Sequence, residues 1–224
     1  SSLHETHHGG DRVRGRVSPS GIFRIAGRIV TGHLLKRPVV FLDRDGTMIR
    51  EVGYLDHRDD VSWFPWTMDA IRLLNRAGYL VCVVSNQGGI GLGLFDEAFV
   101  QGLHESLDAE ARASGAVIDG WFHCPHHPRA VVSGLAGPCE CRKPGRGMID
   151  QACARWDIDL EKSWVVGDRD VDVELASAVG ARGILVRTGH GARDARLKSE
   201  TFPAGTQVAA HLMEAVTIIL GPGE

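Results

Sequence analysis

Long apolar runs are missing from this chain of 224 residues. The longest, Val39–Leu42 and Leu80–Val84, end at Asp43 and Ser85, whereas a membrane-spanning helix needs about 20 predominantly apolar residues. This absence excludes a transmembrane protein. The first 30 residues also lack the apolar block of a secretory signal, because five arginines are scattered through them. We therefore expect a cytoplasmic protein.

Basic charge is scarce after the first part of the chain. The net charge is −3, to which residues 1–37 contribute +5 and residues 38–224 contribute −8. Binding to duplex nucleic acid depends on clustered Lys and Arg side chains that neutralise phosphates. We therefore do not expect nucleic acid to be the main partner.

The first 35 residues have no sustained apolar period. They are rich in Gly and Arg, which predicts a mobile N-terminal extension over residues 1–35. Within it, Gly21–Leu35 is apolar enough to dock or to form a short helix, although Gly27 and Gly32 disfavour a helix. Residues 36–221 are predicted to form a single domain, because a chain of this length can bury one substantial core.

From Arg37 onward, short apolar runs alternate with amphipathic stretches. This alternation predicts an α/β fold with a doubly wound parallel sheet, covered by helices on both faces. Ligands bind beyond the carboxyl ends of the strands in such sheets. The predicted strands are Val39–Leu42, Leu80–Val84, Ile118–Phe122, Trp164–Val166 and Ile184–Val186, and the predicted helices are Thr67–Ala77, Asp96–Ser114, Gly147–Trp156, Asp172–Val179 and Gln207–Leu220.

Two carboxylates follow the first of these strands. Asp43 and Asp45 are two residues apart, so an extended chain would place their side chains on the same side. A carboxylate directly after an apolar strand is costly unless it is coordinated, and a divalent cation is the natural compensation. The alternative is that both residues only cap the turn before Gly46, but polar residues after the other strands argue against it.

Three more polar clusters follow the other predicted strands or precede a helix. Ser85-Asn86-Gln87-Gly88 offers a hydroxyl, amides and backbone N–H groups, which suit phosphoryl oxygens. Lys143, one of only four lysines in the chain, precedes a predicted helix. Asp168 and the acidic residues after it supply further metal ligands. Each cluster alone could be a turn, a solvated lysine or a helix cap, but together they predict a phosphoryl-transfer site.

Three cysteines and one histidine predict a second metal site. Cys124 and His126 form one close pair, and Cys139 and Cys141 form another. Three thiolates and one imidazole suit tetrahedral zinc. Because four protein ligands leave no open position, this zinc would be structural and would hold the loop between the two pairs.

Other histidines and cysteines compete for this second site. His127 and His123 are alternative fourth ligands, but the two-residue spacing from Cys124 favours His126. The remaining cysteines, Cys82 and Cys153, fall within a predicted strand and a predicted helix. They are therefore expected to be packing residues.

The ordered set of motifs resembles the haloacid dehalogenase-like phosphohydrolases over roughly residues 38–190. The likeness rests on Asp43-Arg44-Asp45-Gly46-Thr47, Ser85-Asn86-Gln87, Lys143, and Gly167-Asp168 with Asp172 four residues beyond Asp168.

The resemblance implies a role for each of five residues. Asp43 would be the nucleophile that forms an aspartyl-phosphate, and Asp45 would protonate the leaving oxygen and then deprotonate the hydrolytic water. Mg²⁺ would be held by Asp43, the backbone carbonyl of Asp45, and Asp168. Ser85 and Lys143 would bind the transferring phosphoryl group, in agreement with the need of this chemistry for positioning and charge neutralisation.

A zinc loop that runs directly into Arg142 and Lys143 is similar to that of the D-glycero-D-manno-heptose 1,7-bisphosphate 7-phosphatases and the histidinol-phosphate phosphatases. The first group fits better, because the loop is long and Gly88-Gly89-Ile90-Gly91 follows the second motif. This likeness implies an enzyme that removes the 7-phosphate of a small phosphorylated sugar. We expect the protein to be a monomer. The implied substrate contacts are Glu51, Val52, Gly53, Tyr54, Ser85, Asn86, Gln87, Gly88, Arg142, Lys143 and Arg169.

The spacing of the motifs also limits the architecture. Only about forty residues separate Asp45 from Ser85, which leaves no room for a large cap domain over the site. One alternative function is hydrolysis of histidinol phosphate or another small phosphomonoester on the same residues. A second, of another class, is a catalytically idle zinc-stabilised binding domain, against which the intact Asp43 and Asp45 pair argues.

Overall fold

The computed structural model describes residues 22–25, 28–31 and 36–221, and the chain divides into two compact units, residues 1–35 and 36–224. In the first unit, β1 (Ile22–Ile25) pairs antiparallel with β2 (Arg28–Thr31). The short helix considered for Gly21–Leu35 is therefore wrong for these residues, whose β-branched side chains favour strands. The rest of the predicted mobile extension lies outside the described residues.

The second unit contains a six-stranded, all-parallel sheet with the strand order β5-β4-β3-β6-β7-β8. Its strands are β3 (Val39–Leu42), β4 (Leu80–Asn86), β5 (Gly120–Cys124), β6 (Trp164–Gly167), β7 (Arg182–Val186) and β8 (Gln207–Ala209). The helices are α1 (Thr67–Arg76), α2 (Glu97–Ala113), α3 (Gly147–Arg155), α4 (Asp170–Val179), α5 (Gly191–Lys198) and α6 (Leu212–Leu220). None of these helices in the described part of the chain has both the length and the apolar character of a membrane span.

The helices cover both faces of the sheet, which confirms the predicted doubly wound α/β fold. Alternate residues of β3 point to opposite faces: Val40 and Leu42 pack with α1 and α6, whereas Val39 and Phe41 pack with α3 and α4. All four side chains are fully buried. A strand buried on both faces needs a continuous apolar run, which is the pattern that identified β3 in the sequence.

Several elements differ from the sequence prediction. β4 continues to Asn86, so Ser85 and Asn86 end the strand rather than follow it, and β7 and α4 each begin two residues earlier than predicted. β5 begins at Gly120 rather than Ile118. The helix predicted over Gln207–Leu220 is wrong at its start: its first three residues form β8 beside β7, and α6 begins only at Leu212. α5 was not predicted, because it lacks an apolar period. It is instead stabilised by the fully buried Asp194, whose carboxylate lies near Lys198 and accepts a hydrogen bond from the backbone of Asp170.

The strand order places a crevice at one edge of the sheet. From β3 the chain adds β4 and β5 on one side and then β6, β7 and β8 on the other, so the direction of strand addition reverses between β3 and β6. In such sheets, ligands bind beyond the carboxyl ends of the two strands at this switch point. Asp43 directly follows β3, and Asp168 directly follows β6. Between β3 and β4, the described residues form only α1 and a short 3-10 turn at Arg58–Asp60, so this segment contains no large cap domain.

Candidate active site

A crevice of about 320 Å³ opens at the carboxyl ends of the central strands. Its lining includes all of the predicted catalytic residues and, with one exception, all of the predicted substrate contacts. The exception is Val52, whose side chain is exposed outside the crevice lining. The predicted residues that line the crevice are Asp43, Asp45, Glu51, Gly53, Tyr54, Ser85, Asn86, Gln87, Gly88, Arg142, Lys143, Asp168 and Arg169.

The ammonium group of Lys143 lies at the centre of the site. Its Nζ lies 2.6 Å from Asp43 Oδ1 and 2.7 Å from Asp172 Oδ1, and it donates a 2.8 Å hydrogen bond to the carbonyl of Val84. Burial alone would lower the pKa of Lys143, but Asp172 and Asp43 more than reverse this effect and raise it. The lysine therefore carries its positive charge at physiological pH.

Asn86 places Lys143 in the site. The Asn86 side-chain oxygen accepts a 2.9 Å hydrogen bond from the Lys143 backbone N–H, and its Nδ2 donates a 3.3 Å bond to the Lys143 carbonyl. These residues are 57 positions apart in the chain. Asn86 was predicted as a substrate contact, and its amide in fact pairs with the backbone of the phosphoryl-binding candidate.

Three buried carboxylates lie together beside this lysine. Oxygen atoms of Asp43, Asp168 and Asp172 all lie within 4.8 Å of one another. Burial raises the pKa of Asp43 to about 7: the charge of Lys143 opposes this effect, and the repulsion from Asp172 and Asp45 adds to it. Burial and then the neighbouring Asp43 raise the pKa of Asp168 to about 8. This arrangement is electrostatically unfavourable without a further positive charge.

The Asp168 carboxylate indicates where a cation would bind. Its Oδ2 accepts a 2.7 Å hydrogen bond from the backbone N–H of His190, whereas its Oδ1 is buried and has no hydrogen-bond partner among the described residues. A divalent cation would give this oxygen a ligand bond and would neutralise the cluster. The buried carboxylates and this open oxygen therefore fit Mg²⁺.

The carboxylates in the cluster are among those that the sequence predicted for the metal. Asp43 and Asp168 are brought together as predicted, while the carboxylate of Asp45 lies outside the cluster. This agrees with the prediction that Asp45 would contribute its backbone carbonyl and not its side chain. Asp172 is one of the acidic residues after Asp168 that the sequence predicted as further metal ligands, and it is the one that joins the cluster. Its position follows from its spacing, because it is one helical turn after Asp168 at the start of α4.

Two glycines allow the chain to approach Asp168 closely. A Cβ atom on Gly46 would lie 2.2 Å from Asp168 Oδ2, and a Cβ on Gly189 would lie 2.1 Å from the same oxygen. Both glycines also have positive φ angles, of 82° and 53°. Any side chain at either position would displace the carboxylate, so the loops after β3 and β7 both shape the metal site.

A second set of polar side chains surrounds Ser85. Gln87 Nε2 donates a 2.7 Å hydrogen bond to Ser85 Oγ and a 2.9 Å bond to Asp45 Oδ2. Because the Ser85 oxygen accepts this bond, its own hydrogen remains available for a phosphoryl oxygen in the crevice. Gln87 was predicted as a substrate contact, and its amide joins two of the predicted catalytic residues.

Residues 51–60 after β3, which we call the flap, supply one wall of the crevice through Glu51, Gly53, Tyr54 and Leu55. Glu51 is half-buried there and accepts a hydrogen bond from the backbone N–H of Gly53. Burial raises the pKa of Glu51, and this effect is partly opposed by the hydrogen bond from Gly53. His190, whose Nε2 lies 4.0 Å from Glu51 Oε2, also lines the crevice. His190 was not predicted, although its place just after β7 could have indicated it.

The cysteines and the histidine of the predicted second metal site lie together. The Sγ atoms of Cys124 and Cys139 are 3.7 Å apart, as are those of Cys139 and Cys141, and His126 Nδ1 lies 3.7 Å from Cys124 Sγ and 3.4 Å from Cys141 Sγ. Sulfur ligands of a tetrahedral zinc lie about 3.8 Å apart. The Sγ atoms of Cys124 and Cys141 are closer, at 2.9 Å. These four residues can therefore hold one zinc ion.

The two alternative histidines lie outside this cluster. His127 lines the crevice, next to Arg142, and His123 Nε2 lies 2.6 Å from Glu97 Oε1. Arg142 itself donates a 2.9 Å hydrogen bond from Nη1 to the carbonyl of His126. The cysteine cluster thus fixes the loop that carries Arg142 into the crevice.

Comparisons with known proteins agree with this geometry. The family model described as HAD-hydrolase-like matches residues 140–215. The chain is 40% identical over 154 residues to the D-glycero-beta-D-manno-heptose-1,7-bisphosphate 7-phosphatase of Rhodopseudomonas palustris, a match that covers 69% of this chain and 86% of that protein. It is 41% identical over 163 residues to the D-glycero-D-manno-heptose-1,7-bisphosphate 7-phosphatase of Thermosynechococcus vestitus, with coverages of 71% and 83%.

A solved structure shows the same architecture. The D,D-heptose 1,7-bisphosphate phosphatase of B. bronchiseptica, complexed with magnesium and phosphate, superposes with a TM-score of 0.72 at 32% identity. The match covers 82% of this chain and 98% of that structure.

Proposed function

The chain belongs to the D-glycero-D-manno-heptose-1,7-bisphosphate 7-phosphatase family of haloacid dehalogenase-like hydrolases, and we propose on this basis that it removes the 7-phosphate of D-glycero-D-manno-heptose 1,7-bisphosphate. Because the members of this family are phosphatases, the protein is a phosphoric monoester hydrolase. The observation that carries the proposal is the buried cluster of Lys143 with Asp43, Asp168 and Asp172 at the carboxyl end of the sheet. We further propose that it acts as a monomer in the cytoplasm, where its cysteines remain reduced.

The first step of the proposed reaction transfers the phosphoryl group to the protein. A carboxylate oxygen of Asp43 attacks phosphorus, the bond from phosphorus to the leaving oxygen breaks, and that oxygen takes a proton from Asp45. Lys143 and the hydroxyl of Ser85 hold the phosphoryl oxygens and stabilise their charge. The products are an aspartyl-phosphate, the dephosphorylated sugar and an ionised Asp45.

The second step releases phosphate. Water attacks phosphorus and gives a proton to Asp45, while the bond to the Asp43 oxygen breaks. Inorganic phosphate leaves, Asp43 is again a carboxylate, and Asp45 is again an acid. Mg²⁺, held by Asp43, Asp168 and the backbone carbonyl of Asp45 with Asp172 alongside, would supply charge neutralisation at the phosphoryl group.

We assign the cysteine cluster to a structural zinc ion. Three thiolates and one imidazole form a closed donor set that leaves no position for substrate. The bond from Arg142 to the His126 carbonyl then makes the zinc loop the support of a substrate-binding arginine. In this view the zinc determines which sugar phosphate fits, and it takes no part in the phosphoryl transfer.

A substrate panel tests the proposed function. Phosphate release should be measured for the heptose 1,7-bisphosphate, other sugar phosphates and histidinol phosphate, with Mg²⁺ and after its removal by a chelator. We expect the highest kcat/KM for the heptose bisphosphate, a heptose 1-phosphate product, and activity that returns when Mg²⁺ is added back. Higher kcat/KM for histidinol phosphate, or release of the 1-phosphate, would refute the assignment.

Arg142→Ala should reduce selectivity for the bisphosphate. Arg142 lies beside Lys143 and lines the crevice, so its planar guanidinium is placed to bind the phosphate that is not cleaved. We expect kcat/KM for the heptose bisphosphate to fall about 100-fold, because remote binding energy is lost. The value for p-nitrophenyl phosphate, which has no second phosphate, should change little.

The matched control for this variant is Arg146→Ala. Arg146 is exposed, directly precedes α3 and pairs with Asp150 on that helix, so its removal should leave kcat/KM for both substrates unchanged. Equal losses on both substrates in Arg142→Ala would mean that Arg142 serves the chemical step or the fold, and would end this account of selectivity.

A further inference from the structure

Arg44 stands between the two candidate catalytic carboxylates in the sequence, yet its own side chain is fully buried. Arginine is rarely buried, because its guanidinium stays charged and loses hydration in the interior. Such a charge is tolerated only where specific partners compensate it. The partners of Arg44 therefore indicate what its burial is for.

The guanidinium forms a fork on the carboxylate of Asp45. Its Nε donates to Asp45 Oδ1 at 3.1 Å, and its Nη2 donates to Asp45 Oδ2 at 2.9 Å. A two-pronged contact of this kind fixes the plane of the carboxylate as well as its position. The Asp45 side chain is 19% exposed and lines the crevice, so one side of it remains open to substrate.

Two further acceptors hold Arg44 itself. Its Nη2 donates to Gln87 Oε1 at 3.0 Å, and its Nη1 lies 3.2 Å from His104 Nε2. Because a guanidinium has only donors, Nε2 of His104 must be the acceptor, which requires a neutral ring. Burial, followed by the charge of Arg44 and the nearby His123, lowers the pKa of His104 to about 2, so the ring stays neutral throughout the physiological range.

The His104 ring is in turn fixed by packing. It stacks on Trp121 of β5, with ring centroids 4.8 Å apart and an interplanar angle of 26°. His104 lies on α2, 60 residues from Arg44 in the chain. Helix α2 and strand β5 thus determine where the guanidinium lies. Neither element contributes a residue to the cluster of Lys143 with Asp43, Asp168 and Asp172.

We propose that Arg44, held by His104 and Gln87, is the positioning residue that keeps the Asp45 carboxylate in place for proton transfer. This inference rests on the proposed function, because it assumes that Asp45 is the acid and base of a two-step hydrolysis. Arg44 itself is fully buried and does not line the crevice, so it acts through Asp45. Without the fork, the Asp45 side chain can rotate away from the reacting oxygen, and a displacement of about 1 Å can cost about 100-fold in rate.

A substrate with a good leaving group separates positioning of Asp45 from a general effect on the fold. p-Nitrophenolate leaves without needing a proton, so transfer of its phosphoryl group to Asp43 does not depend on Asp45. Hydrolysis of the aspartyl-phosphate still requires Asp45 to take a proton from water. Loss of Arg44 should therefore slow the second step and spare the first.

The experiment compares single and multiple turnovers of p-nitrophenyl phosphate in wild type, Arg44→Met and Arg44→Lys. With enzyme in excess, release of nitrophenol should occur within about threefold of the wild-type rate in both variants. With substrate in excess, kcat should fall about 100-fold and KM should fall with it, so that kcat/KM stays nearly unchanged while phosphorylated enzyme accumulates. Arg44→Lys should resemble Arg44→Met, because an ammonium group cannot form the fork.

A second pair of variants keeps the test valid if Arg44 variants fail to fold. His104→Gln retains an acceptor for Arg44, whereas His104→Leu removes it. We expect His104→Gln to stay within about threefold of the wild-type kcat and His104→Leu to lose about tenfold. Arg76→Met, which changes an exposed arginine at the end of α1, is the control and should match wild type.

Three results would overturn the inference. They are wild-type multiple turnover in Arg44→Met, an equal loss in single and multiple turnovers, and equal losses in His104→Gln and His104→Leu. A wild-type protein that formed no phosphorylated enzyme would refute the proposed function, and this inference with it. Normal phosphorylation of wild type together with unimpaired Arg44 variants would refute this inference alone.

Discussion

Asp43→Asn should abolish phosphate release, with kcat lowered by at least about 10⁴-fold. Asp43 is the only carboxylate that combines a position directly after β3 with a 2.6 Å contact between its Oδ1 and Lys143 Nζ. An amide at this position cannot form the covalent intermediate and is a weaker ligand for Mg²⁺. The measurement is phosphate release at saturating substrate, with mass spectrometry to show whether the protein is phosphorylated.

The fold should tolerate this change. Burial of the Asp43 carboxylate is costly, as its pKa of about 7 indicates, and Lys143 keeps its contact with Asp172 in the variant. Thermal unfolding should therefore occur within a few degrees of wild type. Asp60→Asn, which changes an exposed aspartate of the flap, is the matched control. Turnover by Asp43→Asn near the wild-type rate, with deamidation excluded, would refute the covalent mechanism.

Cys139→Ser or Cys141→Ser should remove the zinc and lower the free energy of unfolding by about 4 kcal/mol or more, since loss of a structural metal is among the largest effects of single substitutions. Zinc content by elemental analysis and thermal unfolding are the measurements. Activity on the heptose bisphosphate should fall as well, because Arg142 and Lys143 directly follow Cys141 in the chain and depend on the loop for their position.

Cys153→Ser provides the comparison for these variants. Cys153 lies on α3 outside the metal-binding cluster, so the serine variant should retain full zinc content and nearly normal stability. Protein purified without chelator that contains no zinc would count directly against the site. So would a Cys141→Ser variant that keeps its zinc and its unfolding temperature.

The positions of the principal site residues could be predicted from local patterns in the sequence. Apolar runs identified β3 and β6, and in a parallel sheet their carboxyl ends meet at one edge, so Asp43 and Asp168 were placed together without knowledge of any contact. The zinc ligands followed from two close pairs of donor residues. In each case the information lies within a few neighbouring residues of the chain.

Other features depend on contacts between residues far apart in sequence. Asp172 pairs with Lys143 across the site, β8 forms because β7 lies beside it, and Asn86 pairs with a backbone 57 residues away. Arg44 had no assigned role, because its partner His104 is 60 residues distant. The sequence by itself determined the strands and the residues at their ends, since burial on both faces requires continuous apolar runs. Only the tertiary structure decided which buried charge meets which partner, because that pairing depends on the packing of separate elements.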